Sequence, residues 1–409
     1  MIAEKRIEEL LVGHYVIGIV KQTGTFTLNS AGHIKKQTII EHFKNKGVLS
    51  VSIDTSKTLK GAPSNTSILA PEIPTNPKPT GLPEEVKISE PVPAPPSILA
   101  VTQAKELFNH SKSIQHQIFN DAFNGKALDL EPVKKITNKT IDAIFNNPDA
   151  LACVINIRIK DEYLLEHSVS VSILMSIFAR HLKMDKKIVQ QLSIGAFLHD
   201  VGKIMIPDEI LNKPGKLTEA EFSIMKTHVN HSIEIINKTP NISEISLEVA
   251  ALHHEKLNGQ GYPYQIEADE ISLYGRMITI CDIFDALTAD RVYKEGYPHI
   301  KAFNILLKLA QDKHLDSELV NQFIKCMGVY PVGSLVELNS HKLAIVEGRN
   351  QDNPVKPKVR SFYSVEHHHY VMTEDVDLSN DKDFIVKGVR ANDFDLDMNK
   401  IVEFLLMQG

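Results

Sequence analysis

The stretch "YLLEHSVSVSILMSIFARHL", residues 163–182, decides the class of fold. Leu164, Val171, Leu174, Met175, Phe178 and Leu182 recur at helical steps around His167, so one apolar face repeats with the α-helical period and not with the two-residue period of a strand. Upstream, Leu107, Phe108, Ile114, Ile118, Phe119 and Ala122 repeat the same spacing. Residues 101–330 are therefore expected to form a mainly α-helical bundle. His167 is the oddity in it, because a lone ionisable ring in an apolar helix is costly to bury without a partner.

The chain changes character on both sides of that block. Residues 1–58 alternate short apolar runs with turn residues. Period-two patterns at 14–20 and 48–53 predict strands, and "QTIIEHFKNKG" predicts a short helix ended by Gly47, together a small α+β domain. Residues 59–100 hold ten of the twenty prolines. Proline fixes φ and lacks the amide donor, so this stretch reads as an extended linker and a domain boundary. After Pro331, "GSLVELNSHKLAIVEG" and "KVRSFYSVEHHHYVM" predict hairpin strands, closed by a helix at about 397–407, in a small C-terminal β/α appendage over 331–409.

Composition narrows the function. With 409 residues, 43% hydrophobic and 23% charged, the chain is an ordinary globular protein able to bury a sizeable core. A net charge of −6 argues against a nucleic-acid polymer or an anionic membrane surface as partner, so an anionic substrate must meet a local cluster of bases. No apolar run approaches the roughly 18 residues of a transmembrane helix. The N-terminus lacks the pattern of a signal peptide. Cys153, Cys281 and Cys326 form no CxxC pair; they suit a reducing, cytoplasmic compartment and exclude a zinc–thiolate site.

Within the helical block, histidines and aspartates fall in apolar surroundings: His167, then His199–Asp200 in "AFLHDVGKIMIPDEIL", His228 in "MKTHVNHS", His253–His254 in "HHEKLNGQGYP" and Asp282 in "ITICDIFDALTADRVYK". Sharing metal ions would satisfy them. Adjacent helical residues differ by about 100° around the axis, so each neighbouring pair can face one site only at the edge between two helices. A carboxylate such as Asp200 has two oxygens and can bridge two cations. Five imidazoles with carboxylates and no thiolate favour iron or manganese over structural zinc. Two such ions together suit phosphate-ester hydrolysis.

These segments, in this order, resemble the HD-GYP family of bacterial cyclic-dinucleotide phosphodiesterases: "HDVGKIMIPDEILNKPGKLT", "HHEKLNGQGYP" and "DIFDALTADRVYK". Residues 4–54 also look like the small domain of unknown function often found ahead of that catalytic domain. The resemblance implies two divalent metal ions, one held by His167, His199, Asp200 and Asp282, the other by Asp200, His228, His253 and His254. It implies a catalytic role for Lys203 beside Asp200, phosphate binding by Arg291 and Lys294, and a pocket rim made by Gly261, Tyr262 and Pro263. Asn258 stands where many members have aspartate. Some members hold a third ion through a glutamate four residues before the first histidine; here that position is Tyr163, which predicts two ions.

Other histidines and acids read more plainly. "HHH" at 367–369 is expected to be an exposed strand or turn, because alternate strand residues point to opposite faces. His181, His231 and His314 read as surface or packing residues, Cys281 as core, and Glu166 as meeting solvent. Asp285 reads as a helix-surface group or one standing behind the ligands, with a place beside a metal as the alternative. The expected activity is hydrolysis of a 3′–5′ cyclic dinucleotide, cyclic di-GMP by family default, to the linear dinucleotide. The alternatives are a 3′3′-cyclic GMP-AMP-preferring enzyme, a catalytically silent cyclic-dinucleotide receptor, and a more general HD-type nucleotide phosphohydrolase. Assembly as a homo-oligomer is left open.

Overall fold

The computed structural model describes residues 2–11, 13–23, 32–34, 37–55, 96–157, 163–289, 295–350 and 352–408, and the chain divides into two units, Met1–Ser89 and Glu90–Gly409. Most of the proline-rich stretch, together with Arg291 and Lys294, lies outside the described residues.

In the first unit, β1 (Ile2–Arg6), β2 (Tyr15–Gln22), β3 (Gly32–His33) and β4 (Val48–Asp54) form an antiparallel sheet in the order β1-β4-β2-β3. Helix α1 (Gln37–Asn45) precedes β4, and Gly47 between them takes φ +77°, the left-handed turn that a residue without Cβ enters most easily. Val16, Ile40, Phe43, Val51 and Ile53 form its core. The strands expected at 14–20 and 48–53 are β2 and β4. Strand β1 was not expected: as the outer partner of β4 it alternates exposed and half-buried residues and carries no apolar run.

The second unit opens with α2 (Ile98–Phe123), whose first turn is capped by Ser97 Oγ accepting from Ala100 N–H at 3.2 Å. There follow α3 (Leu130–Asn146), α4 (Pro148–Asn156), α5 (Tyr163–His181), α6 (Lys186–Leu198), α7 (Asp208–Leu211), α8 (Glu219–Asn237), α9 (Glu244–Leu252), α10 (Leu273–Thr288), α11 (His299–Gln311) and α12 (Ser317–Met327). Their apolar faces meet in one core, with Phe178, Phe197, Phe284 and Phe323 fully buried. Mainly α is the class the sequence implied.

Beyond α12, β5 (Leu335–Leu338), β6 (Lys342–Gly348), β7 (Lys358–Ser364), β8 (His369–Asp377) and β9 (Ile385–Val389) make an antiparallel sheet in the order β8-β7-β6-β5-β9. Both faces of β6 are buried: Leu343 and Ile345 pack with Ile401 of α13 (Met398–Gln408), while Ala344 and Val346 pack with Val336 and Val359. Two-sided burial explains the nearly unbroken apolar run "LAIV". Asn156 Nδ2 donates to Val332 O at 2.7 Å and Arg349 pairs with Asp149 at 2.6 Å, tying this sheet to α4.

Candidate metal centre

The site forms where α5, α8 and α10 meet the C-terminal ends of α6 and α9. His199 is the last residue with helical angles after α6; Asp200 already has φ −100° and ψ 7°, and a 3-10 turn, Val201–Met205, follows. His253 likewise ends α9, with His254 just beyond it. Both neighbouring pairs therefore sit where the backbone leaves a helix, and not along a helix edge as the spacing suggested. Leaving the helix frees both members of each pair from the 100° rule. Gly202 makes the close approach of the 3-10 turn to α8 feasible: a Cβ there would lie 2.1 Å from His228 O and 2.3 Å from Ser232 N. Its N–H donates to Ser232 Oγ at 2.8 Å.

Asp200 is fully buried at the centre. Its Oδ2 lies 3.5 Å from His167 Nε2 and 3.3 Å from His199 Nε2, while Oδ1 lies 3.4 Å from His228 Nε2 and 3.8 Å from His253 Nε2. Asp282 Oδ1 is 3.0 Å from His167 Nε2, and its Oδ2 is 3.6 Å from His254 Nδ1. The ligand-type atoms of His167, His199 and Asp282 lie within 4.8 Å of one another, as do those of His228, His253 and His254, and those of His199, Asp200 and His253. All seven residues singled out as ligands thus converge.

Four of the five rings are aimed by their other nitrogen. The Nδ1–H groups of His199, His228 and His253 donate to Ala196 O, Met225 O and Ala250 O, each at 2.7 Å and three residues earlier in the chain. His167 Nδ1 bonds Asp285 Oδ2 at 2.8 Å, so Asp285 orients a ring and does not face the helix surface. With Nδ1 protonated, the Nε2 of a neutral ring presents a lone pair to the centre.

That arrangement tests whether a metal fits. His199 Nε2 and Asp200 Oδ1 are buried with no hydrogen-bond partner, and His228 Nε2 faces His253 Nε2 at 3.3 Å. Buried acceptors that point at one another need a cation between them. Burial and neighbouring imidazoles hold the His253 pKa well below the usual histidine range, and burial holds His254 down at about 3, so both rings are neutral donors. Burial opposes a charged His167, but carboxylates at both ring nitrogens outweigh it and push its pKa up to about 9. A divalent ion bound at Nε2 would take the place of that proton. Despite burial, His199 and Lys203 keep Asp200 ionised, holding its carboxyl well below the ordinary range. Lys203 Nζ lies 2.5 Å from Asp200 Oδ2 and is the ammonium at this centre.

The Gly261–Tyr262–Pro263 turn packs directly on the histidines. A Cβ on Gly261 would lie 2.4 Å from Glu255 Cα, so the turn closes only around glycine. The Tyr262–Pro263 peptide is cis, and the Tyr262 ring lies 4.6 Å from that of His254 and 6.3 Å from that of His228. Burial, with Asp282 and Asp200 nearby, keeps the Tyr262 phenol protonated. Sequence reasoning passed over Glu255, although it completes "HHE": its buried carboxylate accepts from Tyr264 N–H at 2.6 Å and Gln265 N–H at 3.1 Å, anchoring the far side of the turn. Asn258 serves its loop by accepting from Gln260 N–H at 3.2 Å.

Glu166 corrects an expectation. It is buried, 8% exposed, and pairs with Lys112 of α2 at 3.1 Å. One turn away on α2, buried Gln115 donates to Phe197 O at 3.0 Å, so α2 braces the segments that carry His167 and His199. Cys281 is core, as expected. His181 is exposed, His231 and His314 are half-buried, and His367, His368 and His369 are all exposed at the turn into β8. Tyr163 begins α5, but its side chain lies outside the described residues, as do Arg291 and Lys294.

Comparison with known proteins points the same way. A family model described as "HD domain" matches residues 153–319, and one described as "Domain of unknown function (DUF3391)" matches residues 4–133. A cyclic di-GMP phosphodiesterase of Pseudomonas aeruginosa is 32% identical over 348 residues, covering 83% of this chain and 78% of that protein. A 3′3′-cGAMP-specific phosphodiesterase of Vibrio cholerae is 41% identical over 129 residues, 31% of this chain and 24% of that protein. Among solved structures, an HDG"Y"P protein from Bdellovibrio bacteriovorus matches with a TM-score of 0.47 at 15% identity, over 79% of this chain and 98% of that one.

Proposed function

The chain belongs to the HD-GYP family of cyclic-dinucleotide phosphodiesterases, and on that premise we propose that it opens a 3′–5′ cyclic dinucleotide at one phosphodiester, releasing the linear dinucleotide at a centre of two divalent ions. The observation that carries this reading is the division of Asp200: one oxygen faces His167 and His199, the other His228 and His253. We assign His167, His199, Asp200 and Asp282 to one ion and Asp200, His228, His253 and His254 to the other. An all-imidazole and carboxylate donor set, with the Cys281 thiol pushed up and kept protonated by burial, fits iron or manganese.

Divalent ions held by these residues would supply Lewis acidity and activate water. The chain does the rest. Neutral His253 and His254 donate without competing protons, and Asp285 fixes the His167 ring. Lys203 places a positive charge beside Asp200, where a phosphate oxygen develops negative charge. Arg291 and Lys294 are assigned to the phosphates by their place in the motif. Tyr262 and Pro263 form the wall over His254.

Relatives named for cyclic di-GMP and for 3′3′-cGAMP both match, so the two dinucleotides are the substrates to compare. We take cyclic di-GMP as the first choice, because the relative matched over most of the chain carries that name. Among the described residues no helix is long and apolar enough to cross a membrane. The three cysteines are buried free thiols, which supports the cytoplasm as the site of action. The deciding experiment incubates ion-loaded protein with each dinucleotide and separates the products by chromatography, with metal content measured on the same sample. Linear dinucleotide and two equivalents of metal support the proposal. Intact dinucleotides beside fully loaded protein would leave a silent receptor in its place.

A further inference from the structure

Outside the cluster, one exposed aromatic ring stands in line with it. Phe222 on the first turn of α8 is 46% exposed, a large apolar face left in water. A scattered exposed phenylalanine is ordinary; this one ends a series. Its ring meets the Tyr262 ring edge-on at 6.3 Å, and Tyr262 in turn lies 4.6 Å from His254. The mount is stiff. Phe222 N–H donates to Thr218 O at 2.8 Å, and Thr218 and Glu221 cap each other's backbone N–H groups. Lys213 clamps Glu221 at 2.6 Å. Lys226, one turn further on, holds its ammonium 5.3 Å from the Phe222 ring centroid.

We propose that Phe222 is the platform on which one base of the cyclic dinucleotide stacks while its phosphodiester sits at the metal cluster, with Lys226 supplying positive charge beside it. The inference rests on the phosphodiesterase reading above and adds the group that holds the base. A stiff, exposed ring continuous with the site costs little to order on binding, and every base offers a π-face to it. Stacking of this kind gives affinity without reading the base edge. Guanine and adenine dinucleotides should therefore lose affinity together when the ring is removed.

The test compares wild type, Phe222→Ala and Phe222→Trp on cyclic di-GMP and 3′3′-cGAMP. Phe222→Ala should raise KM roughly tenfold or more on both substrates, with kcat within about twofold and metal content unchanged. Phe222→Trp should restore KM. The chain contains no tryptophan, so that variant also carries a single fluorescent reporter. In stopped flow its emission should fall on mixing with cyclic di-GMP and recover as substrate is consumed. An active wild type beside a Phe222→Ala variant with unchanged KM overturns the platform alone, and so does indole emission from the Phe222→Trp variant that ignores saturating cyclic di-GMP. Ion-loaded wild type that leaves both dinucleotides intact overturns the phosphodiesterase reading and the platform with it.

Discussion

Two groups of histidines in this chain invite the same label and have opposite physics. His167, His199, His228 and His253 are buried around Asp200, and His254 sits beside them, three-quarters covered. His367, His368 and His369 are consecutive, exposed, and set on the turn into β8. In the first group the rings come from four separate stretches of a helical core and converge on Asp200 and Asp282. In the second they are neighbours in sequence, yet only His367 and His369 stack, at 5.9 Å, with water around them. Density of a residue type along a chain says little about its density in space. The difference lies in what each ring can do with its lone pair: in water it is hydrated, in the core it must find a cation or a proton.

Replacing residues across the two groups should expose that contrast, beginning at its centre. Asp200→Ala removes the carboxylate that both halves of the cluster share. Hydrolysis should fall below detection and elemental analysis should find both ions gone; a full metal complement in this variant would show that Asp200 is not the bridge. Lys203→Ala should keep the ions and lower kcat by roughly a hundredfold or more, because on the proposed reading it deletes a charge that stabilises the reacting phosphate and no ligand. Metal loss there would contradict its role. Arg291→Ala should raise KM by about one to two decades with metal content unchanged, as expected for loss of a charged hydrogen bond. Asp285→Asn leaves the His167 ring in place but weakens its orientation, and metal affinity or activity should drop about 10- to 100-fold. An equal drop on replacing His367, His368 and His369 together by alanine would erase the distinction between the groups. That triple variant should match wild type in activity and metal content, with stability changed by no more than about 0.5 kcal/mol per site.

The candidate ligands could be picked out because their order along the chain repeats a motif and because each interrupts an apolar helical pattern. What the pattern could not show was the backbone at His199–Asp200 and His253–His254. No glycine or proline stands there to announce a helix end, so the apolar period runs on in the sequence while the chain has already turned. Glu166 misled for a different reason. A helical wheel places it away from His167 and so toward solvent, but its partner Lys112 comes from α2, 54 positions earlier, and no local pattern reports which helix packs on that face. Asp285 was left between two roles that only the distance to His167 Nδ1 separates. Strand β1, "IAEKR", escaped notice because an outer strand held mainly by backbone pairing, with Ala3 packed on the core and Glu4 accepting from Ser50 Oγ, needs no apolar alternation.

The three carbonyl-anchored rings have one more consequence. Because Ala196, Met225 and Ala250 fix their tautomers locally, the apoprotein holds converging lone pairs that it cannot relieve by moving a proton. If the proposed ions bind there, they would relieve that opposition, and ion binding would be part of the folding equilibrium. Free metal at about a hundred times its dissociation constant adds about 2.7 kcal/mol to the native state by mass action alone. A chelator should therefore lower the melting temperature as well as stop turnover. The lifetime of the enzyme would then follow the metal supply of its surroundings, making the catalyst a gauge of the ion on which it runs.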